Sequence, residues 1–87
     1  MTSFEIEYLP KVVKNDIPRL SHADKLTIKK HIENKLTSAP QVFGKPLRHT
    51  LKGIWSLRVN DYRVIYQILK NKVIILKIGH RREVYEN

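Results

Sequence analysis

The chain has 87 residues, no cysteine and a formal net charge of +9 at pH 7. This length predicts one domain, residues 1–87, with a thin core, and the missing cysteine excludes disulfides and thiolate chemistry. The sequence shows no signal-peptide pattern and no apolar run long enough to cross a bilayer, so we expect a cytoplasmic protein with no membrane partner.

The positive charge is concentrated in the second half of the chain. Residues 1–44 contain seven Lys and Arg against five Asp and Glu, whereas residues 45–87 contain ten against three. Such asymmetry favours a polyanionic partner, namely RNA, DNA or an acidic protein. The alternative is a basic surface that only keeps the protein in solution.

The first forty residues are predicted to form one strand and two helices. Apolar residues alternate with glutamates in a short first strand, at Phe4, Ile6 and Tyr8,. A short helix is expected over residues 11–17, and a second over about 22–38, where Ser21 provides the cap and Ala39-Pro40 ends it. Apolar residues at roughly helical spacing are predicted to face inward from the second helix: Ala23, Leu26, Ile28, Ile32 and Leu36,.

The remaining chain reads as a basic loop followed by three strands. Residues 41–53 are predicted to be the loop, and two tight turns, Asn60-Asp61 and Lys70-Asn71, then join the strands. The strands are expected over residues 54–59, 62–68 and 73–80. The last strand is almost entirely apolar, which is typical of a central strand that is buried on both faces.

This element order, β-α-α-β-β-β, predicts an α+β fold. We expect a small antiparallel sheet with both helices packed on one face, because their apolar stripes have no other surface to cover. Strand alternation then assigns Trp55, Tyr62 and Tyr66 to the helix-facing side. It places Arg58 and Arg63 on the open face, with Arg81 just beyond the last strand.

Arginine is the residue type best suited to phosphate in this part of the chain. The guanidinium groups of Arg58, Arg63, Arg81 and Arg82 could hold phosphates bidentately and stabilise charge developing on phosphorus. The alternative is a solvated strand face, with Arg82 paired to a nearby glutamate. Further RNA contacts are expected from the basic residues that precede the strands: Lys45, Arg48 and Lys52.

Two other residue types near the C-terminus could contribute to a site. His80 is a candidate general acid or base, or simply a strand-end histidine bonded to a backbone carbonyl. Tyr85 could stack on a base or pack back onto the domain. Because the sequence has no metal-ligand spacing and no phosphate-cradling glycine loop, we predict no metal and no cofactor. Cleavage of RNA would then use the 2′-hydroxyl as the nucleophile.

Two segments together resemble the RelE/ParE superfamily of bacterial and archaeal toxins, on the RelE side. They are Leu51–Ile68, with its Leu-Arg-x-x-Asp-Tyr-Arg-x-x-Tyr pattern, and Lys77–Tyr85, with Gly-His-Arg-x-x-x-Tyr. The resemblance implies a toxin of a type II toxin–antitoxin pair that cuts mRNA in the ribosomal A site and thereby inhibits translation.

The resemblance also implies roles for individual residues. The functional arginines of the family fall on Arg63 and Arg81, its base-stacking tyrosine falls on Tyr85, and Arg58 matches a basic position that contacts RNA or ribosome. The chain departs from the family where well-studied members carry lysines in the second strand, since Ile54 and Ser56 stand there. His80 could then take part of the general-base role.

The partners implied by the resemblance are a small RelB-like antitoxin, the ribosome and mRNA. Operator DNA would be bound only by the toxin–antitoxin complex. Two other functions stay open: a ParE-like inhibitor of DNA gyrase, whose relatives generally lack the Arg/Tyr constellation, and a ribosome- or RNA-binding module with weak catalysis.

Overall fold

The computed structural model describes residues 3–47 and 53–84. Two helices, each of two joined segments, follow the first strand: α1 comprises Val12–Asp16 and Ile17–Arg19, and α2 comprises His22–His31 and Ile32–Leu36. Short helices lie before and after the main strands, α3 at Pro40–Phe43 and α4 at Arg81–Val84. The strands are β1 (Glu5–Tyr8), β2 (Lys45–Pro46), β3 (Ile54–Val59), β4 (Tyr62–Leu69) and β5 (Lys72–His80). None of the described helices is long and apolar enough to cross a membrane.

The strands form one sheet in the order β1-β5-β4-β3-β2. The predicted α+β class is confirmed, but the sheet is mixed rather than antiparallel, because β1 pairs in parallel with β5. A long crossover through the helices separates these two strands, as parallel pairing requires. The prediction of a loop over residues 41–53 was wrong in part, since α3 and the short edge strand β2 lie within it.

The predicted cap at the start of α2 and both predicted turns between the main strands are present in the structure. The Ser21 hydroxyl oxygen accepts a hydrogen bond from the Asp24 backbone N–H at 3.1 Å and so caps α2,. Asn60 and Lys70 both adopt positive φ angles, 55° and 56°, at the turns that join β3 to β4 and β4 to β5. Asparagine tolerates this conformation well, and the two hairpins together fix the register of the three main strands.

The core lies between the helices and one face of the sheet. It contains three residues of α2 at intervals of four, Ile28, Ile32 and Leu36, packed with strand residues that include the fully buried Tyr66. The predicted burial of Ala23 and Leu26 was wrong: both are exposed, Leu26 to 57%. Leu26 lies about 200° around the helix from Ile28, so it faces solvent when the other three face the sheet.

Tyr66 anchors α3 from within the core. Its hydroxyl donates a hydrogen bond of 2.6 Å to the Pro40 carbonyl oxygen. Burial raises the pKa of Tyr66 well above its usual value, so the phenol stays protonated and available as a donor,. The predicted helix-facing orientation of this residue is therefore confirmed, and it ties the segment before β2 to the centre of the sheet.

A helix carboxylate completes the hydrogen bonding of β5. The β1–β5 ladder ends at the Tyr8–Ile75 pair, and further along β5 the backbone N–H of Ile78 donates to Asp16 Oδ2 at 3.0 Å. Replacing Asp16 with alanine is expected to lower the free energy of unfolding by about 1–3 kcal/mol, because a partly buried N–H loses its acceptor.

Urea denaturation checks this expectation, with Asp16→Asn as the matched control. Asparagine keeps a side-chain oxygen acceptor at the same place, so it should retain most of the lost stability. Equal stability of Asp16→Ala and the parent chain would contradict the capping role.

His31 gives the helix layer a dependence on pH. Its Nδ1 is buried and has no hydrogen-bond partner among the described residues. Burial, and secondarily the charges of Lys35 and Lys30, lower the pKa of His31 below its ordinary value of about 6.5,. A histidine with a lowered pKa in the folded state stabilises the fold above the unfolded-state pKa. That contribution is lost as pH falls through the folded-state pKa.

Replacing His31 with glutamine is therefore expected to flatten the stability profile on the acid side of about pH 6.5. Thermal melts across that range measure the effect. Parallel profiles for His31→Gln and the parent chain would show that His31 does not contribute.

Candidate functional site

The face of the sheet opposite the helices carries a cluster of basic side chains. Arg58 on β3 is the register partner of Arg63 on β4, and Lys45 on the edge strand β2 is the partner of Ser56. Partner residues across a sheet project on the same side, which brings the three cations together as strand alternation predicted for the two arginines. We call this side of the sheet the outer face.

The cluster surrounds a cleft of about 280 Å³. Its described lining residues are Phe43, Lys45, Ser56, Arg58 and Arg63. Arg63 is only 8% exposed and donates a hydrogen bond from Nη1 to the Tyr62 carbonyl oxygen at 3.2 Å, whereas Arg58 is exposed. None of these lining residues is acidic.

The described residues of the cleft concentrate positive charge. Arg58 and Arg63 lie directly opposite one another in the sheet, an arrangement in which like charges repel,. An anion between the two guanidinium groups would offset the repulsion and accept charge-assisted hydrogen bonds. The site is therefore suited to a phosphate or carboxylate group.

Two further predicted arginines lie at the end of β5. Arg81 and Arg82 are exposed at the start of α4. The backbone N–H of Arg81 donates to the Asp61 carbonyl oxygen at 2.8 Å, which holds the start of α4 against the β3–β4 turn. Since Gly79 is the register partner of Arg63, α4 begins two residues beyond the level of Arg63 along β5.

His80 lies on the other side of the sheet from the basic cluster. It is the register partner of Tyr62, and the two rings meet edge to face with centroids 5.7 Å apart. Its Nδ1 accepts the backbone N–H of Arg82 at 3.3 Å. The structure therefore does not bring His80 together with Arg63, because neighbouring strand residues point to opposite faces.

The outcome for the remaining candidates is mixed. Arg48, Lys52 and Tyr85 lie outside the described residues. Phe43 lines the cleft but is absent from the predicted site residues. The sequence predicts a loop over residues 41–53, and only the basic residues of that loop are predicted to contact RNA. An aromatic residue within a basic segment was the available signal, since aromatic rings and cations together are typical of nucleic-acid surfaces.

Comparison with known proteins supplies the family. The family model described as "ParE toxin of type II toxin-antitoxin system, parDE" matches residues 6–85, which is nearly all of the sequence. The chain belongs to this toxin family. The RelE/ParE resemblance noted in the sequence is thus confirmed, and the chain is a toxin of the type II toxin–antitoxin class.

Individual relatives place this toxin near RelE. Toxin RelG of Mycobacterium tuberculosis is 40% identical over 52 residues, which cover 58% of this chain and 60% of RelG. Toxin RelE of the same organism is 35% identical over 72 residues, which cover 80% of this chain and 74% of RelE. The chain thus spans about three-fifths of RelG and about three-quarters of RelE.

A solved relative supports the same assignment at the level of the fold. The toxin–antitoxin complex RelBE2 from Mycobacterium tuberculosis contains a chain that is 28% identical to this toxin, with a TM-score of 0.84. The match covers 93% of this chain and 94% of the other. The mixed sheet with its helix layer is therefore an arrangement shared with a RelE-type toxin.

An apolar groove on the helix side is a second surface of this toxin. It has a volume of about 330 Å³, and its described lining includes Ile17 of α1, Ile28 and Ile32 of α2, and Leu20 between the two helices. Tyr8 also contributes; burial, and secondarily the charge of Glu33, raise the pKa of its phenol. Lys25, Lys29 and Glu33 also line the groove, and Lys29 forms an ion pair with Glu33 at 4.0 Å, so the groove combines apolar surface with charges of both signs.

Proposed function

We propose that this toxin is a ribosome-dependent endoribonuclease that cuts mRNA in the A site and so inhibits translation. The observation that carries the proposal is the cleft on the outer face, where the largely buried Arg63 lies beside Arg58 and Lys45. A phosphodiester in the cleft would accept charge-assisted hydrogen bonds from these guanidinium groups, whose planar donors match its oxygens.

The proposed reaction is transesterification within the RNA. The 2′-hydroxyl oxygen attacks the adjacent phosphorus and forms a new P–O bond, while the bond to the 5′-oxygen of the next nucleotide breaks. The products are a 2′,3′-cyclic phosphate and a free 5′-hydroxyl, so the proton lost by the 2′-hydroxyl is balanced by the one gained by the leaving oxygen. Negative charge accumulates on the non-bridging oxygens, where preorganised arginines lower the barrier.

Each outer-face cation has a part in this proposal, together with Arg81 at the start of α4. Arg63 and Arg81 stabilise the charge on phosphorus, and Arg58 and Lys45 hold the backbone of the RNA. Lys45 is the register partner of Ser56. Ser56 is one of the two positions where, by the family resemblance, well-studied members carry lysine. A lysine from the neighbouring strand thus supplies an ammonium group beside that position, which supports retention of catalysis despite the substitution.

The remaining parts of the proposal rest on the family resemblance. Tyr85 would stack on an mRNA base, while Arg48, Lys52 and Arg82 would contact RNA or ribosome. His80 receives no proton-transfer role, because its ring lies on the helix-facing side and its Nδ1 already accepts a backbone N–H.

The proposed partners are an antitoxin, the ribosome and mRNA. The solved RelE-type relative is a complex of toxin with antitoxin. A net charge of +9 favours an acidic partner, and the apolar groove offers a surface for the apolar side of an amphipathic segment,. Operator DNA would be bound only by the assembled pair, and the cytoplasm, where ribosomes are found, is the proposed location.

Inhibition of DNA gyrase is the second candidate function. The description of the matching family model, which names ParE, favours it. The two candidates differ in what the cell loses: a nuclease leaves new 5′ ends inside translated codons, whereas a gyrase inhibitor leaves mRNA intact and changes DNA topology.

Induced expression in a bacterial host tests the proposal. Primer extension on a reporter mRNA should show new cuts within translated codons that coincide with growth arrest. Arg81→Ala should abolish both. Growth arrest by the parent chain without cuts in mRNA would eliminate the nuclease and leave gyrase inhibition or ribosome blockade.

A further inference from the structure

We propose that Phe43 is a base-stacking residue of the outer-face cleft, so that the cleft holds a nucleotide by its base as well as by its phosphate. The inference rests on the proposed function for the identity of the ligand as RNA. It adds a second aromatic contact, from a residue near the middle of the sequence, whereas Tyr85 lies near its end.

The exposure of Phe43 is the first observation. The ring is 47% exposed and lies outside the hydrophobic core cluster, yet it lines the same cleft as Arg58 and Arg63. The exposed part of the ring therefore offers apolar surface beside the cations of the cleft. A nucleobase fits, because its π-face stacks on the ring while its phosphate pairs with the guanidinium groups.

The anchoring of Phe43 is the second observation. Its backbone N–H bonds to the Ala39 carbonyl oxygen at 3.2 Å, and α3 is fixed by the 2.6 Å bond from the buried Tyr66 hydroxyl to Pro40. Gly44 then packs directly against the Tyr66 side chain. The ring is therefore presented from a rigid segment, and ordering it on binding costs little entropy.

The surroundings of the ring are the third observation. The Lys35 ammonium nitrogen lies 5.6 Å from the centroid of the Phe43 ring. This contact orients the ring and adds another positive charge close to the cleft. If the only role of Phe43 were to orient Lys35, replacing Phe43 would weaken the binding of base-containing and abasic RNA equally.

That difference provides the test. A short single-stranded oligoribonucleotide with 2′-O-methyl groups cannot be cleaved, and its affinity for the purified toxin is measured by fluorescence polarisation at low salt. The same oligonucleotide with abasic positions is the second ligand. For the parent chain, loss of the bases should weaken binding roughly tenfold, in line with the energy of base–aromatic stacking.

The variants show which residue is responsible. The variants are made in a Tyr85→Ala chain, so that the stacking proposed for Tyr85 does not contribute, and this chain is the reference, which should keep the dependence on bases. Adding Phe43→Leu should bring base-containing and abasic ligands within about twofold of each other. Adding Phe43→Tyr should keep the dependence on bases, and adding Val42→Ala, which shortens the neighbouring 75% exposed side chain, should leave the reference behaviour unchanged. A reference chain that does not bind the base-containing ligand or ignores the bases, or a Phe43→Leu variant of it that still discriminates, would overturn the inference.

Failure of this inference is distinguishable from failure of the nuclease proposal. Codon-internal cuts in cells together with base-independent binding would leave the nuclease standing and remove the stacking role. Base-dependent binding through Phe43 without any cuts would retain the nucleotide site and remove the catalytic activity.

Discussion

Replacing Arg63 with alanine is expected to slow mRNA cutting on the ribosome by roughly 100- to 1,000-fold, the effect typical of removing one preorganised donor from a transition state. Arg63 is only 8% exposed and lines the basic cleft. Because little water surrounds its guanidinium group, the interaction of that group with a negative charge is screened only weakly. Single-turnover cutting of a programmed ribosome, followed with saturating toxin, measures the chemical step directly.

Two variants make the result specific. Arg63→Lys keeps the charge but loses the planar fork of donors, so its rate should fall between those of the parent chain and Arg63→Ala. Arg19→Ala removes an exposed arginine from the helix layer and should cut at the parent rate. If Arg63→Ala, shown to be folded by its thermal melt, cut as fast as Arg19→Ala, the cleft would not be the catalytic site.

Gly44→Ala is expected to destabilise the fold by about 3 kcal/mol or more. A Cβ at Gly44 would lie 1.7 Å from the hydroxyl oxygen and 2.8 Å from the adjoining ring carbon of Tyr66, whose side chain is fully buried. The phenol would have to move, and it would lose its hydrogen bond to Pro40 and its packing under the sheet. Chemical denaturation measures the change in the free energy of unfolding.

Gly53→Ala is the matched control for this substitution. Gly53 has a φ of +84°, and among the described residues an added Cβ would meet the Ile68 carbonyl oxygen at an ordinary van der Waals distance of 3.6 Å. Its replacement is strained by backbone conformation alone and should cost about 1–2 kcal/mol. A cost for Gly44→Ala as small as that for Gly53→Ala would contradict the tight packing of α3 on Tyr66.

The double variant Gly44→Ala with Tyr66→Phe tests the contact itself. Removing the hydroxyl relieves the closest clash, so the two substitutions together should cost less than the sum of their separate effects. Additive costs would indicate that Gly44 and Tyr66 do not interact.

The alternation of apolar and polar residues along the strands predicts most of the fold and the positions of the two arginines at the centre of the site. Alternation placed Arg58 and Arg63 on the open face, and their pairing as direct register partners bears this out. The bulge in the β4–β5 ladder lies between Ile65 and Tyr66, two residues beyond Arg63, and leaves the β3–β4 pairing unbroken. The outer face could therefore be derived from the spacing of a few residues.

Features that depend on distant contacts could not be predicted in this way. The short elements α3 and β2 exist because Tyr66 and β3 hold them, and neither partner is adjacent in sequence. Phe43 was missed for that reason. His80 is next to Arg81 in the sequence, which favours a common site for the two residues. Strand alternation nevertheless places the His80 side chain on the opposite face of the sheet from Arg63.

The proposed function depends most on ribosome-dependent cutting at the 2′-hydroxyl, and one reconstituted reaction measures it. Purified toxin is mixed with ribosomes stalled on a defined mRNA, with the same mRNA free in solution, and with a programmed mRNA carrying 2′-deoxy sugars in the A-site codon. Cutting is expected within the A-site codon of the first sample only, with a 2′,3′-cyclic phosphate end. Intact mRNA in the first sample, or equal cutting of free and ribosome-bound mRNA, would contradict it.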